Sequence, residues 1–235
     1  MTPTRPPGEF LRKLAEPAGD QPAVKVCGFT IPDEARAACE AGVDALGINF
    51  YPKSKRYVAF EDCRDWLGDL PDTITRVGIF VNEDAARVEE IAQSGLIDAV
   101  QLHGDETIEY SQSLLALGVT VIKAFGVKDP DSLRDIGDFG TDLILLDAWC
   151  PGDFGGSGKT FDWRLAAKTV CENPQLRVIL SGGLDPSNVA DAVGKVRPAA
   201  VDVATGVEDS PGRKNLEQIR QFVEQARRDA ADLDK

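Results

Sequence analysis

The chain has 235 residues, 43% of them hydrophobic, enough to bury one sizeable core, and α/β barrels of this length commonly form one domain. Its formal charge of −13 repels nucleic acid and anionic membranes, so neither is an expected partner. No apolar run approaches the ~18 residues of a membrane span, and the first residues lack the apolar stretch and small-residue cleavage site of a secretory leader, so a cytoplasmic protein is expected.

Residues 1–22 carry five prolines and little periodicity. They read as a mobile extension or a loosely docked short helix, with a barrel domain over 23–235. From there, short β-branched or apolar runs recur in order: "AVKVC", "VDALGINF", "TRVGIFVN", "LIDAVQLH", "VTVIKAF", "TDLILLDA", "LRVILSGG" and "PAAVDVATG". Segments with helical spacing separate them, among them "DEARAACEAG", "EDAARVEEIAQSG" and "DETIEYSQSLLALG". Thr30 with Asp33 suggests a capping box, and Asp129-Pro130 and Asp185-Pro186 suggest capped helix starts, while Gly42, Gly95 and Gly118 sit where helices should stop. Eight alternations of parallel strand and helix predict an α/β fold, a single (β/α)8 TIM barrel with eight parallel strands. An open doubly wound sheet is the rival, weakened by the absence of a dinucleotide-type GxGxxG after the first strand.

In such a barrel the active residues belong at the C-terminal ends of strands. Cys27 closes strand one, Arg56 follows strand two, His103 closes strand four and Asp147 closes strand six. Lys25 shares a strand face with Cys27 and is expected to favour its thiolate, making the sulfur a candidate base; a buried structural thiol is the alternative. Asp147 ends an apolar strand and is a candidate proton donor, or else a loop-bracing carboxylate. His103, the one histidine, is a functional or a satisfied structural ring. Arg56 lies in the basic stretch "YPKSKRYV" and offers a fork for a substrate carboxylate, or compensates nearby acids. Trp149 and Trp163 flank the loop after strand six, where packing is the simpler role.

"DFGGSGKT" fails the nucleotide P-loop register at its first glycine, where Asp153 stands. "SGGLDPSN" and "ATGVE", after strands seven and eight, answer better to the phosphate grip of a barrel, so a small sugar phosphate is the expected ligand. The five cysteines (Cys27, Cys39, Cys63, Cys150, Cys171) form no CxxC pair, which points to free thiols and to no zinc site. The Asp-rich excess of acid resembles proteins of salt-loving organisms, with an ordinary acidic enzyme as the alternative.

Taken together, "KVCGFT", "GINFYPKSKRYV", "VGIFVN", "QLHGDE", "LLDA" with "GGSGKTFDW", "LSGGLDPSNV" and "VDVATGVEDSPGRKN" resemble the phosphoribosylanthranilate isomerase family of tryptophan biosynthesis. The resemblance implies an Amadori rearrangement of N-(5-phosphoribosyl)anthranilate with no metal or organic cofactor, by a monomer or homodimer. It implies Asp147 as the acid that opens the ribose ring, Cys27 as the base at C2 and Arg56 as the grip on the anthranilate carboxylate. His103 and Asp202 are implied near the substrate, and Gly156, Ser157, Gly158, Gly182, Gly183, Thr205 and Gly206 around its phosphate. Lys55 stands where the family commonly has proline, and "ATG" replaces the commoner "SSG". A lysine/glutamate lyase of the indole-glycerol-phosphate synthase type and a non-catalytic phosphosugar binder are the competing readings.

Overall fold

The fold is a closed barrel in a computed structural model that describes residues 7–16, 21–150, 158 and 160–228. Its staves are β1 (Ala23–Cys27), β2 (Ala45–Asn49), β3 (Thr75–Phe80), β4 (Ala99–Leu102), β5 (Val121–Val127), β6 (Leu143–Ala148), β7 (Arg177–Leu180) and β8 (Ala200–Val203). All are parallel, each pairs with the next, and β8 pairs with β1 with Asp202 opposite Lys25. That last pairing excludes the open sheet and bears out the eight-stranded barrel.

Helices follow seven of the staves: α2 (Pro32–Glu40), α3 (Phe60–Gly68), α4 (Ala85–Gln93), α5 (Ile108–Ala116), α6 (Trp163–Glu172), α7 (Val189–Val196) and α8 (Leu216–Ala226). After β5 the described helix is a 3-10 turn, Pro130–Leu133, so the alternation is not uniformly α-helical; Asp129 and Ser132 cap that turn reciprocally. A short antiparallel pair, β9 (Glu208–Ser210) and β10 (Arg213–Lys214), is inserted between β8 and α8. Gly42, Gly95 and Gly118 end α2, α4 and α5 with φ of +84°, +74° and +77°, as the helix-stop reading requires.

Two expected helix starts differ. Ile31 occupies the N-cap of α2, and the Thr30 hydroxyl instead donates to the Gly212 carbonyl at 2.8 Å, a partner 182 residues away. α7 begins at Val189, with Asn188 at its N-cap. Asp185 accepts from the Ser187 amide, while Asn188 accepts from the Asp185 amide and donates to the Gly183 carbonyl, so these side chains brace the glycine turn after β7.

The period of two along each strand divides the core. Val24, Val26, Leu46 and Ile48 belong to the shell shared with the helices, whereas Ala23, Ala45, Val77, Ala99, Leu145, Ile179 and Ala200 form a separate interior cluster. Alanine from five staves, Ala124 of β5 among them, leaves room in that cluster, and Phe10 and Leu14 of an N-terminal helix, α1 (Glu9–Ala15), fill it. The helix is held at the strands' N-terminal ends: the Glu9 amide donates to the Thr73 carbonyl (2.7 Å), Lys13 pairs with Asp44 (2.8 Å), and Arg177 Nε donates to the Leu14 carbonyl (3.0 Å). Of the two expectations, a mobile extension or a loosely docked short helix, residues 9–15 form a short helix, with Phe10 and Leu14 buried. No described helix is long and apolar enough to cross a membrane.

Candidate active site

At the opposite end, a cavity opens where the strands finish. Cys27, Arg56, His103, Asp147, Gly158, Gly182, Gly183, Asp202, Thr205 and Gly206 all line it, joined by Asn49, Gln101 and Ser181. Gly156 and Ser157 lie outside the described residues.

Cys27 is half-buried at the cavity wall. Gly47 on the neighbouring stave makes space for it, since a Cβ there would lie 2.7 Å from the Cys27 sulfur. Lys25 sits below, fully buried, with its Nζ donating to Asp202 Oδ1 at 2.8 Å; Ser181 Oγ donates to the other Asp202 oxygen at 3.3 Å. Lys25 favours the thiolate as expected, but its attraction is outweighed. Burial pushes the Cys27 thiol up; Lys25 pulls it back, Asp202 adds to the rise, and Lys214 and Arg56 lower it without reversing the outcome. A cation already paired with a buried carboxylate offers a thiolate little net attraction.

His103 bridges toward the acid. Its Nδ1 lies 2.8 Å from Gln101 Nε2, and its Nε2 lies 3.3 Å from Asp147 Oδ2. One ring nitrogen thus faces the Gln101 amide and the other faces Asp147. The remaining Asp147 oxygen accepts from the Ala148 amide at 2.8 Å, fixing the carboxyl group beside the cavity. Gly182 is needed nearby: its φ is +85°, and a Cβ would lie 2.7 Å from the Ala148 nitrogen. The loop carrying His103 is anchored by a buried ion pair, Lys123 with Glu106 at 2.8 Å, where Glu106 also accepts from the Gly104 and Asn82 amides.

Arg56 reaches the same cavity, yet its Nε and Nη2 are held by Glu208, and Nη2 also donates to Thr205 Oγ1 at 3.0 Å. Beside these groups the backbones of the β7 and β8 loops press together, so a Cβ on Gly206 would lie 2.0 Å from the Leu184 carbonyl oxygen. Gly182, Gly183 and Gly158 all have positive φ, leaving bare backbone toward the cavity. Such an arrangement can hold a phosphate through N–H groups at one side, present a thiol and a carboxyl group at the centre and offer a guanidinium at the rim.

Trp149 and Trp163 do not line this cavity; Trp149 is exposed with Lys128 against its ring, and Trp163 opens α6. Among the described residues no cluster of His, Cys, Asp or Glu has the makings of a metal site. Gln101, Asn49, Ser181, Glu208 and Lys214 were not singled out from the sequence. Gln101 had a signal, since it lies two residues before His103 on the same strand face; Glu208 and Lys214 sit in a hairpin whose partners, Arg56 after β2 and Cys27 at the end of β1, lie far earlier in the chain.

A family model described as N-(5'phosphoribosyl)anthranilate (PRA) isomerase matches residues 24–225. An isomerase of that name from Geobacter sulfurreducens is 45% identical over 204 residues, covering 87% of this chain and 98% of that protein. The solved phosphoribosyl anthranilate isomerase of Thermotoga maritima superposes with a TM-score of 0.79 at 42% identity, over 87% of this chain and 98% of that one. Another solved phosphoribosyl anthranilate isomerase, in complex with reduced 1-(o-carboxyphenylamino)-1-deoxyribulose 5-phosphate, has a TM-score of 0.76 at 39% identity, with the same coverage of 87% and 98%. In each of these matches nearly the whole relative is covered, and the strand-end thiol, acid and glycine loops lie inside the matched span; the chain belongs to the N-(5'-phosphoribosyl)anthranilate isomerase family.

Proposed function

We propose that this enzyme converts N-(5-phosphoribosyl)anthranilate to 1-(2-carboxyphenylamino)-1-deoxyribulose 5-phosphate, a step of tryptophan biosynthesis carried out in the cytoplasm. The observation that carries the reading is the presence of Cys27, Asp147, Arg56 and the glycine loops around one cavity. Asp147 delivers a proton to the ribose ring oxygen, and the C1–O bond breaks to leave an iminium cation. Cys27 as thiolate then takes the proton from C2, and the electron pair neutralises the iminium to give an enolamine, which tautomerises to the ketose. Burial raises the thiol in the free enzyme, and the cationic iminium beside it favours ionisation, the S–H proton passing to solvent before the thiolate takes the C2 proton. Each step is a proton transfer or the C–O cleavage that protonation sets off, so the chemistry calls for no organic cofactor. The phosphate is assigned to the backbone about Gly156, Ser157, Gly158, Gly182, Gly183, Thr205 and Gly206, and the aryl carboxylate to Arg56, with His103 orienting Asp147 and Asp202 balancing Lys25.

The test is loss of substrate fluorescence with freshly made phosphoribosylanthranilate. Cys27→Ala and Asp147→Asn should each lower kcat by ~10² to 10⁴ while leaving binding near wild type. Intact turnover in both variants rules out these roles, and no turnover by the wild type rules out the activity.

A further inference from the structure

We infer that Glu208 is a positioning residue for Arg56, gripping the Nε/Nη2 edge of the guanidinium, whose Nη2 also donates to Thr205 Oγ1, so that Nη1 meets the aryl carboxylate of the substrate. The inference rests on the isomerase reading and adds to it a residue outside the thiol, acid and phosphate groups.

Glu208 Oε1 accepts from Arg56 Nε at 2.8 Å and Oε2 accepts from Nε and Nη2 at 3.1 and 2.6 Å, a two-pronged grip on a planar fork. Nη1 has no hydrogen-bond partner among the described residues, while Arg56 lines the cavity. The Glu208 side chain is 2% exposed and that of Lys214 0%, with Lys214 Nζ donating to Glu208 Oε1 at 2.6 Å. Lys214 also donates to the Cys27 carbonyl at 2.6 Å, so the cluster ties the end of β1 to the loop after β8. Arg56 and Lys214 are two cations against the single carboxylate of Glu208, which leaves one positive charge uncompensated at the cavity wall. An incoming carboxylate balances it. The approach of Arg56 is built in as well: Gly28, at φ +86°, would place a Cβ 2.2 Å from the Arg56 Cδ. Burial opposes ionisation of Glu208, yet the Arg56 and Lys214 contacts hold its carboxyl group below the usual range, so it grips as a carboxylate at neutral pH.

The experiment measures the affinity of two ligands by calorimetry: reduced 1-(o-carboxyphenylamino)-1-deoxyribulose 5-phosphate, and its counterpart with phenyl in place of carboxyphenyl. The ratio of their affinities reports the carboxylate contact alone, because both carry the same sugar phosphate. Wild type should prefer the carboxylate ligand by about 10- to 100-fold, as a charge-assisted contact supplies. Glu208→Gln should bring that ratio below about one-third of wild type, Arg56→Ala should do the same, and Arg56→Ala with Glu208→Gln should lower it no further than Arg56→Ala alone. Should Glu208→Gln not fold, Glu208→Asp carries the test, because its shorter carboxylate reaches the fork only if Arg56 moves; the same drop in ratio is expected. An unchanged ratio in the folded Glu208 variant overturns the inference, as does a wild type that turns over substrate but binds both ligands equally. A wild type that neither turns over phosphoribosylanthranilate nor binds either ligand overturns the isomerase reading itself, and the inference with it.

Discussion

Replacing Phe10 by alanine tests whether α1 is part of the barrel's core. Phe10 is 0% exposed and Leu14 2%, both seated in the interior layer that Ala23, Ala45, Ala99 and Ala200 leave open. Truncating a buried phenylalanine costs about 3–5 kcal/mol when the surroundings cannot collapse, and strands closed into a ring have little freedom to do so. At about 2–4 °C per kcal/mol for a domain of this size, Phe10→Ala should lower the melting temperature by roughly 6–20 °C. Undocking of α1 caps the loss, since once the helix leaves nothing more is forfeited; Leu14→Ala added to Phe10→Ala should therefore cost less than the sum of the singles. Circular dichroism melts at one protein concentration read the stability, and the fluorescence assay at 25 °C should show unchanged turnover, because α1 contacts the end of the barrel away from Cys27. A melting temperature within 2 °C of wild type, a drop of less than about 1 kcal/mol, would refute the docking argument.

Gly47→Ala pushes a Cβ to 2.7 Å from the Cys27 sulfur and should lower kcat by roughly 10²-fold with KM little changed, since a misplacement of about 1 Å is enough; steady-state kinetics decide it. Burial raises the Cys39 and Cys63 thiols to about 11 and about 12. A group raised by folding stabilises fully below its unfolded pKa, about 8.5 for cysteine, and that contribution fades as pH climbs toward the folded values, so the melting temperature should fall from pH ~9 to ~11, less steeply in Cys63→Val. With a net charge of −13, stability should rise as salt goes from dilute to molar and screens the self-repulsion; a melting temperature flat across that range contradicts this.

Much of the barrel was legible locally. Strand alternation placed Cys27, His103 and Asp147 at strand ends, and the left-handed demands of Gly42, Gly95 and Gly118 marked helix stops, because backbone periodicity and turn geometry depend on residues within about one helical turn of each other. The motif set carried the family, since its spacing tracks the staves. Closure decided the rest. Lys25 meets Asp202 across 177 residues and Arg56 meets Glu208 across 152, so the charge each cation offers to thiol or substrate is settled by a partner that no local pattern names. The same holds at the floor, where α1 docks only because five staves bring alanines into one interior cluster. Local pattern was enough to bring Cys27, His103 and Asp147 to the mouth of the barrel; that Asn49, Gln101 and Ser181 join them, and which groups are already paired, followed from the closed ring, because burial and Coulomb attraction act through space and closure makes distant segments neighbours.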